Sequence, residues 1–444
     1  MSGLPRGWVE SSVDEVGDIS SGFGFPDRFQ GNVTGELPFA KVRDISQAHQ
    51  RNGGILSGAG NYVSRADLNA LKARTVPAGS VAFAKIGEAL KLNRRVLLDV
   101  EAVLDNNCMA VTPHQGLVEP KFLYRFLTTL DFAPFSVATT VPSIRKGDVG
   151  SIRLPLPPLA EQKRIVTKLD ALNAKSARAR TELARIETLV SRYKQAVLSK
   201  AFSGELTREW RQDGEWPAFV RLGNVAGSFA YGSAAKSQKS GSIPVLRMGN
   251  IQNGKLDWAD LVYTDDKDEI KKYRLIPGDV LFNRTNSPAL VGKTAMYNGE
   301  RDAIFAGYLI RIVAGPHLDA RYLTYALNSP SGREFSWSAK TDGVSQSNIS
   351  ASKLKEFAFA VPPLEEQHEI VRRIESAFAR IDRLAKEAKR ALELVGRLDE
   401  AILAKAFRGE LVPQDESDEP AEHLLARIRA EREAAPKGKR GRGR

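Results

Sequence analysis

Leu154-Pro-Leu-Pro-Pro-Leu-Ala-Glu-Gln-Lys-Arg-Ile-Val166 decides how this chain is read, because it occurs twice. Phe359-Ala-Val-Pro-Pro-Leu-Glu-Glu-Gln-His-Glu-Ile-Val371 repeats it 205 positions later. The same offset carries Ala201-Phe-Ser-Gly-Glu-Leu206 onto Ala406-Phe-Arg-Gly-Glu-Leu411 without a gap. Solenoid repeats have periods of about 20–50 residues, so a period this long marks duplication of a whole module. Fainter echoes fill the space between. Gly17-Asp-Ile19 aligns with Gly223-Asn-Val225, Pro38 to Arg43 with Pro244 to Gly249, Pro77 to Phe83 with Ile276 to Phe282, and Phe122-Leu123 with Tyr322-Leu323. Apolar and glycine positions are kept while the polar ones change, as expected of one scaffold presenting two surfaces; ordinary drift gives the same pattern.

Between Pro158 and Gly204 there is neither Gly nor Pro, which predicts one long helix opened by Pro157-Pro158 and capped at Gly204. Its apolar seam runs Ile165, Leu169, Leu172, Ser176, Ala179, Leu183, Ile186, Val190, Tyr193, Val197. The second copy gives Ile370, Ile374, Ala377, Ile381, Leu384, Ala388, Ala391, Val395, Leu398, Ile402 with the same steps of four and three. A strict 3.5-residue period signals a coiled-coil seam. A helix of about 40 residues is ~60 Å long and cannot bury its stripe alone. Antiparallel pairing of the two satisfies both; packing on the preceding domain, or on another subunit, are the alternatives.

The flanking segments mix short β-rich runs (Ser80 to Ala84, Val96 to Leu98, Val280 to Phe282) with short helical stretches (Pro120 to Leu130, Asp319 to Asn328) between glycine turns. The expected fold class is therefore α+β. It consists of two similar α+β domains, 1–153 and 207–356, joined by two long helices, 154–206 and 357–411, that pair as an antiparallel coiled coil with a pseudo-twofold internal repeat. Residues 412–444 are expected to form a short helix, Glu422 to Glu433, and a flexible basic tail.

Hydrophobic residues at 42% and charged residues at 27% describe a folding chain. The single cysteine, Cys108, cannot close an intramolecular disulfide, and no Cys/His spacing suits a zinc site. No leader-like or membrane-length apolar run is present, so a cytoplasmic protein is expected. The net charge is +12; Lys437, Lys439, Arg440, Arg442 and Arg444 supply five of it, and +7 remains. A basic surplus suits a polyanion.

Catalytic patterns fail on inspection. Gly292-Lys293-Thr294 ends like a phosphate loop, but the required earlier glycine is Ser287. Glu269-Ile-Lys271 with Asp257 or Asp260 is half of a nuclease metal site, yet Glu387-Ala-Lys389 shows how readily that triplet arises. Gly22-Phe-Gly24 is too short for a cofactor fingerprint, and no Asn-Pro-Pro-aromatic tetrapeptide is present. His49, His114, His317, His368 and His423 lack ligand or triad spacing.

Two copies of Pro-Leu-x-Glu-Gln opening a long helix that ends in Ala-Phe-x-Gly-Glu-Leu resemble the specificity subunit of type I restriction-modification systems, from Trp8 through Leu411. The resemblance implies two target-recognition domains, each reading one half of a bipartite asymmetric site in double-stranded DNA, with the helical rod fixing the gap. It implies no catalysis and no cofactor in this chain. Two modification subunits would supply S-adenosylmethionine-dependent methylation, and restriction/translocase subunits ATP- and Mg-dependent cleavage. The rival from another class is a coiled-coil adaptor without sequence-specific DNA binding.

DNA contacts are sought among cations and amides at glycine-bounded loops, since Arg pairs with guanine, Asn and Gln with adenine, and Lys sits on phosphate. These are Lys41, Arg43, Lys85, Arg94, Arg95, Arg145 and Lys146 in the first domain, and Arg247, Asn250, Arg284, Asn286, Lys293, Gln346 and Asn348 in the second. Arg284 and Asn286 stand out, lying between a strand-like run and a Pro turn.

Overall fold

A computed structural model describes residues 3–135, 142–211 and 214–434. The five tail cations from Lys437 to Arg444 lie outside the described residues. The chain forms two compact units, Met1–Arg180 with Leu392–Arg444, and Thr181–Ala391.

In the first unit, β1 (Gly17–Ser21), β2 (Ile55–Leu56), β3 (Val81–Ala84), β4 (Arg95–Leu98) and β5 (Cys108–Pro113) form a sheet in the order β1-β5-β3-β4-β2. All its pairings are antiparallel except β4 with β2. β3 reads Val-Ala-Phe-Ala and is buried throughout, as a strand covered on both faces must be. The helix α1 (Pro120–Thr128) has Pro at its first turn, where the missing N–H costs nothing, and buries Phe122, Leu123, Phe126 and Leu127. Cys108, at the start of β5, is fully buried, and desolvation raises its thiol pKa far above the ordinary range. Thiol reagents at pH 8 should leave the folded protein unmodified and label Cys108 only after denaturation. Stoichiometric labelling of the native chain, read by intact mass, would contradict this burial.

Val9–Ser12 pairs with Arg153–Leu156 and delivers the chain to α2 (Leu159–Phe202), an unbroken 44-residue helix. The recurring Glu-Gln is explained here. Gln162 is fully buried; its Nε2 donates to Leu117 O (3.0 Å) and Pro157 O (2.9 Å), and its Oε1 accepts from Glu119 N (2.9 Å). One amide thus ties the start of α2 to the loop before α1. Glu161 accepts from the Trp8 indole at 3.0 Å; burial raises its pKa, against the Trp8 hydrogen bond and nearby Arg164.

The second unit repeats the plan with β6 (Ala226–Tyr231), β7 (Val280–Asn283), β8 (Thr285–Asn286), β9 (Thr294–Met296), β10 (Leu309–Ala314), β11 (Thr341–Asp342) and β12 (Ser347–Asn348). Its main sheet runs β6-β10-β7-β9, the counterpart of β1-β5-β3-β4, and a ribbon runs β8-β12-β11. Gly17 opens β1, whereas Gly223 sits in the turn before β6, so Ala226 rather than Gly223 is the counterpart of Gly17. The helix α3 (Ala320–Asn328) matches α1, and α4 (Leu364–Phe407) matches α2, also with 44 residues. Gln367 repeats Gln162: it donates to His317 O (2.9 Å) and Pro362 O (2.7 Å) and accepts from Asp319 N (2.8 Å). Glu366 is bound by Thr207 Oγ1 and Arg211 Nη1, both at 2.6 Å.

The long helices pair antiparallel. In the second unit Leu198 and Ala201 of α2 share a core with Ile370, Val371 and Ile374 of α4, and Lys194 reaches Asp382 at 2.5 Å. In the first unit Ile165 and Leu169 of α2 pack with Ile402, Leu403, Ala406 and Phe407 of α4, while Ser176 and Arg180 bind Asp399. α5 (Ala421–Ala434) closes this unit. Ile165, Leu169, Ile370 and Ile374 are buried; Leu172, Leu183, Ile186, Val190, Ile381 and Val395 are half-buried. Three seam positions are corrected: Tyr193, Leu384 and Leu398 are 60%, 58% and 54% exposed, their inward places taken by Lys194, Ala385 and Asp399. A straight helix drifts ~20° per heptad against a 3.5 period, which carries evenly spaced apolar residues off the line of contact. The helix-ending glycines have a steric reason. Gly204 has φ +82°, and a Cβ there would stand 2.6 Å from the Trp216 ring; Gly409, at φ +73°, is pressed in the same way by Pro5.

Candidate nucleic-acid interface

In an antiparallel sheet, each strand ends where its neighbour begins, so residues far apart in sequence collect at one end. In the second unit that end gathers Tyr231 (last of β6), Arg284 (just after β7), Lys293 (just before β9) and Tyr308 (just before β10). The β8-β12-β11 ribbon stands beside them, with Gln346 exposed at its turn. Arg284 is pre-positioned. Its guanidinium lies 4.8 Å from the Tyr231 ring centre, Nη2 donates to Asn348 Oδ1 at 2.8 Å, and Nη1 donates to Gly307 O at 3.3 Å. Nε has no partner. Asn348 passes the network to Thr285 Oγ1 (3.0 Å), and Asn286 Oδ1 accepts from Ser287 N (2.8 Å).

Lys293 lies on the same end, with Nζ donating to Gln252 Oε1 at 3.1 Å. Partial burial, and then the like charge of Arg333, lower its pKa; burial lowers that of Arg333 too. Two cations held together at partial burial favour an anion between or above them. Sequence reasoning missed Tyr231 and Tyr308, which strand pairing brings to this end, and Arg333, on the helix Pro330–Ala339. Lys340, at the end of that helix, lies 4.3 Å from the ring of the 60%-exposed Trp337 and is held by Asp342. Nothing in the one-dimensional pattern sets these residues apart from core aromatics or surface lysines.

The first unit uses corresponding positions. Lys85 follows β3 as Arg284 follows β7, and each backbone carbonyl accepts from an isoleucine N–H, Ile144 and Ile349 respectively. Arg94 precedes β4 as Lys293 precedes β9. Lys41 and Arg247 both cap a short helical turn through their backbone N–H, to Asp44 (2.8 Å) and Asn250 (2.8 Å). Lys41 Nζ reaches Gln30 Oε1 at 2.8 Å and lies 4.9 Å from the Phe25 ring, and Arg247 pairs with Asp260 at 3.3 Å. Arg43, Arg145 and Lys146 are exposed.

Two sequence candidates are consumed inside the fold. Arg95 is fully buried, donates to Asn93 O, Asn93 Oδ1 and Leu130 O, and lies 4.0 Å from the Phe132 ring; burial brings its pKa down to about 10. Asn250 is buried, and its amide donates to Asp257 O and Asp260 O. The inward side of a strand and the inside of a turn cannot present a donor to a base, so both leave the candidate set. Glu269 is bound by Ser233, and among the described residues no three His, Cys, Asp or Glu side chains group as metal ligands.

Two α+β heads with matching cationic strand ends, each tied to a long paired helix, define a two-headed recognition protein. The family model of the type I restriction modification DNA specificity domain matches residues 5–188 and again 215–394, and the chain belongs to that family. It is 28% identical to the type I restriction enzyme EcoKI specificity subunit of Escherichia coli (strain K12), over 97% of both chains. It is 30% identical to the EcoDI specificity subunit of Escherichia coli, over 72% of this chain and 78% of that one. The crystal structure of the HsdS subunit from Thermoanaerobacter tengcongensis has the same fold, with a TM-score of 0.60 at 22% identity, covering 92% of this chain and 98% of that chain.

Proposed function

We propose that this chain is the non-catalytic DNA-reading subunit of a type I restriction-modification complex in the cytoplasm. Each head reads one half of a split asymmetric site in double-stranded DNA, and the helix pair fixes the unread gap. The observation that carries the reading is the repeated set of strand ends: cations recur at Lys85 and Arg284 and at Arg94 and Lys293 on the main sheet, and at Lys41 and Arg247 just after the matched strands Leu37–Ala40 and Ile243–Leu246, while the residues around them differ. The matched cations Lys41 and Arg247, and Arg94 and Lys293, suit a shared phosphate geometry, while Arg284 in place of Lys85 and the dissimilar neighbours suit base reading that differs between two half-sites. Two modification subunits dock on the chain and supply S-adenosylmethionine-dependent methylation; restriction/translocase subunits add ATP- and Mg-dependent cleavage. The exposed Leu189 and Leu384 in the second unit, and Leu394 and Leu398 in the first, suit such docking better than free solvent.

The chain purified with its modification subunit should retain one DNA sequence selectively and in a salt-dependent way. Arg284→Ala should weaken the specific site by about 1–3 kcal/mol and relax preference in one half-site only. Lys293→Ala should instead weaken all sequences alike and lower the salt slope by about one. Binding without any sequence preference would favour the adaptor.

A further inference from the structure

The two units differ in one covered face. In the first, α5 lies over the segment leading into the unit. Ala421 N donates to Gly7 O at 3.0 Å, and Ala421 and Leu425 are buried in the same core as Leu117 and Leu156. Arg429 pairs with Glu15, and the acidic lead-in is held by Arg164, whose two terminal nitrogens reach Asp418 at 3.2 and 2.6 Å.

Among the described residues, no helix covers the corresponding face of the second unit. His317 stands where Leu117 does, since the carbonyls of both accept from the helix-opening Gln; it is exposed, whereas Leu117 is fully buried. Val361 replaces the buried Leu156 and is half-buried; Pro363 replaces the buried Pro158 and is exposed. Phe219, beside them, is 63% exposed. His317, Val361 and Pro363, with Pro217, Leu364 and Glu365, line an open groove of about 520 Å³, and Phe219 stands outside it on the strand paired with Ala360.

We propose that this groove receives an amphipathic helix from a partner protein, filling the place that α5 fills in the first unit. Charge decides against α5 of a second copy. Arg164, which holds the lead-in of α5, is replaced by Glu369, already paired with Arg372 and Arg373; Glu15, which holds Arg429, is replaced by Asn224; and the groove itself is lined by Glu365. The acidic lead-in of α5 (Asp415, Glu416, Asp418 and Glu419) would find no counterpart of Arg164 and would meet Glu365, and Arg429 would lose its partner. The occupant therefore has an aliphatic i, i+3, i+4, i+7 face and a basic rather than acidic lead-in. The proposal rests on the reading that this chain works inside a complex, and adds where one partner docks.

The test uses the full chain co-expressed with its modification subunit. A benzophenone amino acid in place of Val361 should, on irradiation, cross-link to that subunit, and the adduct should map to one amphipathic helical peptide. Phe219→Glu, at an already exposed position, should weaken association with the subunit at least tenfold while the circular-dichroism spectrum and thermal midpoint stay unchanged. A complex that still methylates its site but gives no cross-link, or cross-links only to the chain itself or to a second copy, overturns the docking proposal alone. A wild-type complex that neither assembles nor selects DNA overturns the functional reading with it.

Discussion

Gln367→Leu should unfold the second unit and leave the first one folded. The side chain is fully buried and makes three hydrogen bonds, two to carbonyls and one from a backbone N–H. Leucine of similar volume keeps the packing but strands all three partners, each costing about 1–3 kcal/mol when buried without water. Together they cost about 3–9 kcal/mol, comparable with the ~5–15 kcal/mol that holds a domain together. Hydrogen exchange followed by mass spectrometry should show lost protection across 214–391 and little change across 3–135. Gln162→Leu should give the reverse. Gln367→Glu separates hydrogen bonding from shape: it is isosteric, but its carboxylate faces two carbonyls, so it should be at least as damaging as leucine. Equal protection in wild type and both variants would show that the recurring Glu-Gln has no such anchoring role.

The second large effect concerns the length of the helices. Inserting seven residues into α2 between Ala179 and Leu183, and seven into α4 between Leu384 and Ala388, keeps the heptad phase on both. Each helix grows by ~10 Å, at 1.5 Å per residue. That is about three base-pair steps of 3.4 Å. Methylome sequencing of cells carrying the doubly inserted chain should find both half-sites unchanged and the unread gap longer by about three base pairs, with methylation of the original site lost. An active complex still using the original gap would show that something other than helix length sets the spacing. Insertion into only one helix should abolish recognition, since the paired faces then fall out of register.

The long helices and the identity of their partners were legible in sequence because a 3.5-residue apolar period and a gapless repeat are one-dimensional facts. The failures along that seam are instructive. Tyr193, Leu384 and Leu398 follow the period yet face outward, since apolar character records that a residue wants burial and not whether the helix has drifted past the partner. Among the interface candidates, Lys85, Arg94, Arg284 and Lys293 are chosen in the sequence as cations at glycine-bounded loops, and each lies next to a strand end, where chain direction reverses. Arg95 was chosen by the same rule and lies one residue further into β4, facing inward between Asn93, Leu130 and Phe132. A strand turns successive side chains to opposite faces, so a one-residue difference separates a surface cation from a buried one.

The sequence by itself determined that there are two modules, that each ends in a long helix, and that the catalytic patterns it was searched for are incomplete. All of these follow from local patterns and their repetition along the chain. Tertiary structure alone decided which cations share a sheet end, which amides and carboxylates are spent inside, and that α5 covers a face in one unit that stays open in the other. Those outcomes depend on strand pairing and packing between residues tens to hundreds of positions apart, and no local pattern encodes such distances.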